Sequence, residues 1–244
     1  MGYGALGGGT WTAMTKGIPG SYINVVSKTK SQPPYSNIGK VGLAVPLDWG
    51  IVGDLIIIDR NDFEYECLAK LGYDFAADEM KPFRDLFKGA TKAYIYNLNE
   101  NGVKAKATVG TLEIEAKKPG IAGNTIQVVI QKDIDIEDRF IVKVYMQEQE
   151  VLNLNLTKDD VLPENEFIEF KGDVTLTEEH LTAGTFLTGG TNGEMVDKSV
   201  HVKFLEIIES MYVNTIAYIG NDEEIRKLYT ANVIRLRENE GIKV

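Results

Sequence analysis

The chain has 244 residues, 43% of them hydrophobic and 25% charged, which is enough material for one to three folded domains. A formal net charge of -10 excludes unaided binding to nucleic acid or to an anionic membrane surface, because phosphate contact needs a clustered excess of Lys and Arg and no basic stripe is visible. No run approaches the roughly 18–20 apolar residues of a membrane span and the N-terminus lacks an export pattern, so synthesis and folding in the cytoplasm are expected.

Residues 1–17 hold six glycines among small and polar side chains, with Trp11 near the end of the run. Such a segment cannot offset its ordering entropy by burial, so it reads as a flexible arm, either frayed or ordered only against another molecule. From Ile18 short apolar runs follow, SYINVV, GKVGLAVPL and GDLIIID, each bounded by Gly, Pro, Asn or Asp in the manner of buried strands. Asn61 or Asp62 is placed to cap a helix through Phe63, Leu68 and Leu71. Asp78 is placed to cap a second helix with Pro82 in its first turn and Phe83, Leu86 and Phe87 inward. Cys67, the single cysteine, falls beside Phe63 and Leu71 on the buried face and reads as a core thiol. TKAYIYNL alternates like a further strand, closing the first part of an α/β unit.

The helical period then disappears. KATV, TLEIEA, TIQVVIQ, RFIVKVYM, EVLNLNL, FIEFKG and TFLTG read as antiparallel strands, several with one solvated face. After LTGGTNG the α/β character returns. A helix from about Met195 to Met211 carries the stripe Val200, Phe204, Ile207, Ile208 and Met211, and NTIAYIG is a compact strand. A last helix over residues 221–238, capped by Asn221 or Asp222, presents Ile225, Leu228, Tyr229, Val233 and Leu236. Glu240-Gly241 closes it, and IKV reads as the first residues of a new strand, so a C-terminally incomplete core domain is expected. The predicted fold is a mixed α/β core domain interrupted by an inserted antiparallel β-rich domain. Its parts are the arm at 1–17, core at 18–101, insertion at 102–188 and core again at 189–244.

Little of this sequence suggests chemistry. His180 reads as a surface residue beside two carboxylates, and His201 as a neighbour of the apolar stripe of its helix; no Cys/His or His/Glu spacing marks a metal site. The pairs Asp159-Asp160, Glu178-Glu179 and Glu223-Glu224 read as solvated faces and helix N-termini rather than calcium or acid/base groups. LTGGTNGEMVDKSV is a glycine-rich loop between strand and helix. Gly189, Gly190, Thr191, Asn192 and Gly193 either cradle a phosphate, although the Gly-Lys-Ser/Thr ending of a P-loop is absent, or form a domain-junction turn. KKPGIAGNTIQV offers Gly120, Gly123 and Asn124 for a tight turn of the same kind. Tyr145, Phe140, Phe167 and Phe170 are the aromatic residues that a carbohydrate- or receptor-binding role for the insertion would use. No catalytic, metal or cofactor site is expected.

GGGTWTAMTKGIPGSYINVVS resembles the N-terminal signature of contractile-tail sheath proteins of Gram-positive phages, defective prophages and R-type bacteriocins, through Gly9, Thr10, Trp11, Lys16, Pro19, Gly20, Tyr22, Ile23 and Asn24. KKPGIAGNTIQV resembles the opening of that family's inserted β domain, and LTGGTNG with the long helix after it resembles the return to the core. The resemblance implies a structural subunit that forms stacked six-subunit rings around an inner tail tube and contracts to drive the tube through a target envelope. It implies as partners neighbouring sheath subunits, joined through an arm that includes Gly9, Thr10, Trp11 and Lys16, together with the tube, baseplate and tail terminator proteins. Such a subunit ends in a phage tail or released bacteriocin particle. The family continues beyond the stretch matching Gly241–Val244, completing the core and adding a second arm.

Overall fold

The structure, a computed structural model, describes residues 39–136, 138–157, 160, 162–171, 175–193 and 196–239. The arm, the SYINVV strand and the IKV segment lie outside the described residues. Eleven strands and four α-helices occur among those described: β1 (Lys40–Val45), β2 (Leu55–Asp59), α1 (Phe63–Leu71), α2 (Lys81–Leu86), β3 (Lys92–Asn97), β4 (Lys106–Val109), β5 (Leu112–Ala116), β6 (Ile126–Lys132), β7 (Arg139–Met146), β8 (Gln149–Thr157), β9 (Ile168–Lys171), β10 (Thr182–Phe186), α3 (Lys198–Glu209), β11 (Thr215–Tyr218) and α4 (Glu223–Asn239).

KVGLAV and KAYIYN are apolar on both faces, which suits strands covered by helices on each side. They pair in parallel as β1 and β3, and β11, from beyond the insertion, pairs in parallel with the other edge of β1. With β2 antiparallel to β3, the sheet runs β11-β1-β3-β2. Alternation then divides the side chains. Leu43, Val45, Ile56, Ile58, Ala93 and Ile95 pack against Phe63, Cys67, Leu71 and Phe83 of α1 and α2. On the other face Ala44, Tyr94 and Tyr96 meet Val200, Phe204 and Ile208 of α3 and Tyr229 of α4. The core sheet is therefore assembled from chain on both sides of an inserted antiparallel β-rich region.

In that region strands β10-β6-β7-β8 form one sheet and β4-β5-β9 another. β7 is the clearest case of period-two burial, with Phe140, Val142, Val144 and Met146 inward. These join Leu112, Ile114 and Ile168 of the smaller sheet in one hydrophobic core, so the two sheets form a sandwich. Phe140 is buried there, and Phe167 and Phe170 pack against the same core, which leaves them poor aromatic platforms.

Three local expectations change. Asp62 stands at the N-cap of α1 in helical conformation without a side-chain cap bond, and α1 ends instead on Gly72 in the left-handed region, whose N–H donates to Cys67 and Leu68. Asp78 opens a 3-10 turn, and the helix with Pro82 in its first turn begins at Lys81, with Met80 as its N-cap. His180 is buried rather than exposed. Its Nδ1 accepts the Thr177 N–H at 3.0 Å while its Nε2 lies 3.0 Å from Thr111 Oγ1, so the imidazole ties a 3-10 turn to the turn between β4 and β5. Cys67 is buried, and desolvation raises its thiol pKa, as suits an inert core residue.

His201 occupies the α3–α4 joint. Its Nδ1 is 3.0 Å from the Tyr229 hydroxyl and its ring meets Tyr218 and Tyr229 edge-on. Burial lowers its pKa below 6.5, against a smaller opposing pull from Asp222. The neutral ring is thus the folded form, and its contribution is complete above the unfolded value and lost as pH falls through 6.5 toward the lowered folded value. Urea midpoints are expected to fall between pH 7 and pH 5, and His201→Gln, which keeps a hydrogen-bonding partner for Tyr229, is expected to flatten that slope.

Candidate functional site at the junction of core and insertion

Trp49, in the loop after β1, is 0% exposed and belongs to the sandwich core although it precedes the insertion in sequence. Its indole N–H donates to the Ala69 carbonyl of α1 at 2.9 Å, which satisfies the one polar atom this burial would otherwise strand. Lys118 of the insertion donates to the same carbonyl, and its ammonium lies 5.8 Å from the centroid of the Trp49 ring. Desolvation lowers the Lys118 pKa.

Small residues let the backbones close on this ring. A Cβ at Gly123 would sit 3.6 Å from Trp49 Cζ3, and Ala105 and Ala122 belong to the same core. Gly120 has φ 131 and ψ 162, and any Cβ there would overlap the Asp48 carbonyl oxygen. That carbonyl accepts the Ala122 N–H at 3.0 Å.

The Asp48 carboxylate joins the remaining parts. Oδ1 accepts from Asn192 Nδ2 at 2.6 Å and Oδ2 accepts from the Tyr73 hydroxyl, whose pKa burial and this bond both raise. Asn192 Oδ1 in turn accepts the Ile121 N–H at 2.9 Å. Asn124 makes a reciprocal pair with Gly190, its amide N–H donating to the Gly190 carbonyl at 2.9 Å and its Oδ1 accepting the Gly190 N–H at 2.8 Å. A third contact comes from the β7–β8 turn, where Gln147 donates to the Gly72 carbonyl and Gln149 donates to Asp74, holding that carboxyl below its usual pKa.

The two glycine-rich loops named from sequence therefore meet, through Gly120, Asn124 and Gly190, while Gly123 faces Ala105, Ala116 and Trp49. Gly193 packs on the Asn101 backbone, while Gly189, at φ 80, has open space around its Cα. Gly9, Thr10, Trp11 and Lys16 lie outside the described residues. Asp48, Trp49, Tyr73, Lys118, Gln147 and Gln149 were not singled out from sequence. A large aromatic ring in a Pro-x-Asp-Trp-Gly loop is the one local signal that points there.

This arrangement is a fastening, and two amides of the glycine-rich loop that a phosphate would need are spent within the protein. The Gly190 and Thr191 N–H groups donate within the protein, to Asn124 and to the Val103 carbonyl, and Asp197 occupies the N-cap of α3. Among the described residues no group of three or more His, Cys, Asp or Glu side chains is placed to hold a metal ion. The joint is thus spent on holding an α/β sheet to an inserted β-sandwich.

Residues 100–192 match the family model described as the phage tail sheath protein beta-sandwich domain. Over 98% of its length the chain is 26% identical to the phage-like element PBSX protein XkdK and 27% identical to YqbK, both of Bacillus subtilis. Among solved structures, the sheath tail protein DSY3957 of Desulfitobacterium hafniense aligns over 92% of the chain and 51% of its own length, with TM-score 0.75 and 33% identity. The sheath tail protein Lin1278 of Listeria innocua aligns over 84% and 46%, with TM-score 0.70 and 28% identity. The chain belongs to the contractile tail sheath protein family. It spans about half the length of the relatives it matches, 54% for both Bacillus proteins.

Proposed function

We propose that this chain forms the sandwich-bearing half of a sheath subunit that stacks in six-membered rings around an inner tail tube and contracts to drive the tube through a target envelope. The observation that carries this reading is the likeness to two solved sheath tail proteins, over 92% and 84% of the chain. Contacts between unlike surfaces of identical subunits generate open helical arrays, the geometry a sheath requires. The junction supports it physically, since a subunit that changes neighbours must keep its own domains aligned.

The N-terminal segment with Gly9, Thr10, Trp11 and Lys16 would reach a neighbouring subunit, and the tube, baseplate and tail terminator proteins are the other expected partners. Assembly would take place in the bacterial cytoplasm, ending in a phage tail or bacteriocin particle. Among the described residues no helix is long and apolar enough to cross a membrane. Ultracentrifugation tests the reading: the polypeptide of the whole reading frame, co-expressed with its tube protein, should pellet as high-mass polymer with that protein. A supernatant holding only dispersed subunits at every concentration would count against it.

A further inference from the structure

β1 and β11 are parallel neighbours, so their C-terminal ends open on the same side of the sheet. Beyond those ends the chain diverges. After β1 it crosses the end of β3 to reach β2 and then α1 and α2 on one face, whereas after β11 it enters α4, whose Ile225, Leu228 and Tyr229 pack with α3 on the other. Strands whose connections part in this way leave a crevice outside their carboxyl ends, the place where open α/β sheets bind ligands.

A crevice of about 300 Å³ lies there, lined by the chain just after β1, by Ile219 just after β11 and by the start of α2. It falls at the lower end of the roughly 300–1,000 Å³ of small-molecule sites, so it suits one long side chain rather than a folded element. Leu47, Met80 and Phe83 are buried and supply apolar walls, while Ile219 is 51% exposed at the rim.

The charged groups in it are of one sign. Asp48, Glu79 and the Tyr73 hydroxyl are its polar lining, and among the described residues that line it there is no Lys, Arg or His. Burial and the bond to Asp48 raise the Tyr73 pKa, so the phenol stays protonated and adds no charge. Asp48 accepts one hydrogen bond on each carboxylate oxygen, from Asn192 and from Tyr73, which leaves further acceptor capacity on both. Glu79 stands exposed on the 3-10 turn before α2 and forms no ion pair among the described residues; the nearby exposed Asp78 and Lys81 offset each other.

Apolar walls that end in two carboxylates match a side chain with an apolar stem and a cationic head. Arginine fits better than lysine, because its planar head carries several donors, is more weakly hydrated than an ammonium and stacks on aromatic rings such as that of Phe83. We propose that this crevice is a docking site for an arginine side chain of a partner protein, with its stem among Met80, Phe83 and Ile219 and its guanidinium against Asp48 and Glu79. Binding there does not depend on sheath assembly and is measurable on the 244-residue chain.

Amide shifts of that chain, titrated with N-acetyl-Gly-Arg-Gly-amide, test it. Leu47, Asp48, Met80 and Ile219 should shift saturably, with a dissociation constant on the order of 1 mM, as suits a single side chain. The neutral citrulline analogue should bind about fivefold more weakly, and the exposed substitution Glu79→Gln should weaken binding of the arginine peptide about threefold. Butylguanidinium, which is head and stem without the peptide, should bind no more tightly than the tripeptide. Tighter binding of butylguanidinium would make the occupant a free small cation and overturn the assignment to a partner protein. Equal affinity of the arginine and citrulline peptides, an unchanged titration of Glu79→Gln, shifts centred elsewhere or a lack of saturation would each overturn the site itself.

Discussion

Trp49→Ala is expected to lower the unfolding free energy by about 3–5 kcal/mol, the range for removing a large aromatic ring from a packed interior. The reason is position as well as size. The ring is a member of the sandwich core contributed by a loop of the α/β sheet, and Leu68 of α1 packs against that same core. Truncation leaves a void where the two domains share a surface, and leaves the Ala69 carbonyl with the Lys118 ammonium but without the indole N–H. Trp49→Phe should recover most of the packing and lose the hydrogen bond, costing less. Urea unfolding followed by circular dichroism measures both. A loss below about 1 kcal/mol for the alanine variant would mean that the ring is not a fastening between domains.

Gly120→Ala is the second large expected effect, roughly 3 kcal/mol or more, and its cause is the backbone. At φ 131 and ψ 162 the residue occupies a region open essentially only to glycine, and a methyl group would collide with the Asp48 carbonyl oxygen that accepts the Ala122 N–H. Relief requires the insertion's first loop to move off the core. Gly189→Ala is the matched control: its φ of 80 is also left-handed, but nothing lies within 4 Å, so a cost of about 1 kcal/mol is expected from conformation alone. Equal destabilisation by the two substitutions, read from denaturation midpoints, would contradict the close approach described for Gly120.

The strands and helices were largely legible in the sequence because their signals are local. RFIVKVYM alternates and becomes β7 with strict in-out burial, and Val200, Phe204 and Ile208 recur at helical spacing and become the buried face of α3. Return of the α/β pattern after LTGGTNG implied one interrupted domain, and β11 pairs with β1 as that requires. What was not legible depends on partners far away in the chain. His180 sits among acidic neighbours in sequence, yet folding sets it against Thr111, a contact no periodicity announces. Asp48 reads as an ordinary turn residue until Tyr73 and Asn192 arrive from two other segments. The glycine-rich loops were visible as turns, but their mutual docking through Asn124 and Gly190 needed coordinates. A Gly-rich strand-to-helix loop suggests a phosphate cradle only while the partners of its amides are unknown.

Cryo-electron microscopy of the assembled particle tests directly whether this chain is the core-and-sandwich part of a contractile sheath subunit. The expected result is a helical array of stacked six-membered rings outside a central tube, with the α/β sheet and the sandwich fitting each subunit as one unit about the Trp49 joint. Particles in which this chain forms no such array, or in which the sandwich swings freely from the core sheet, would contradict it.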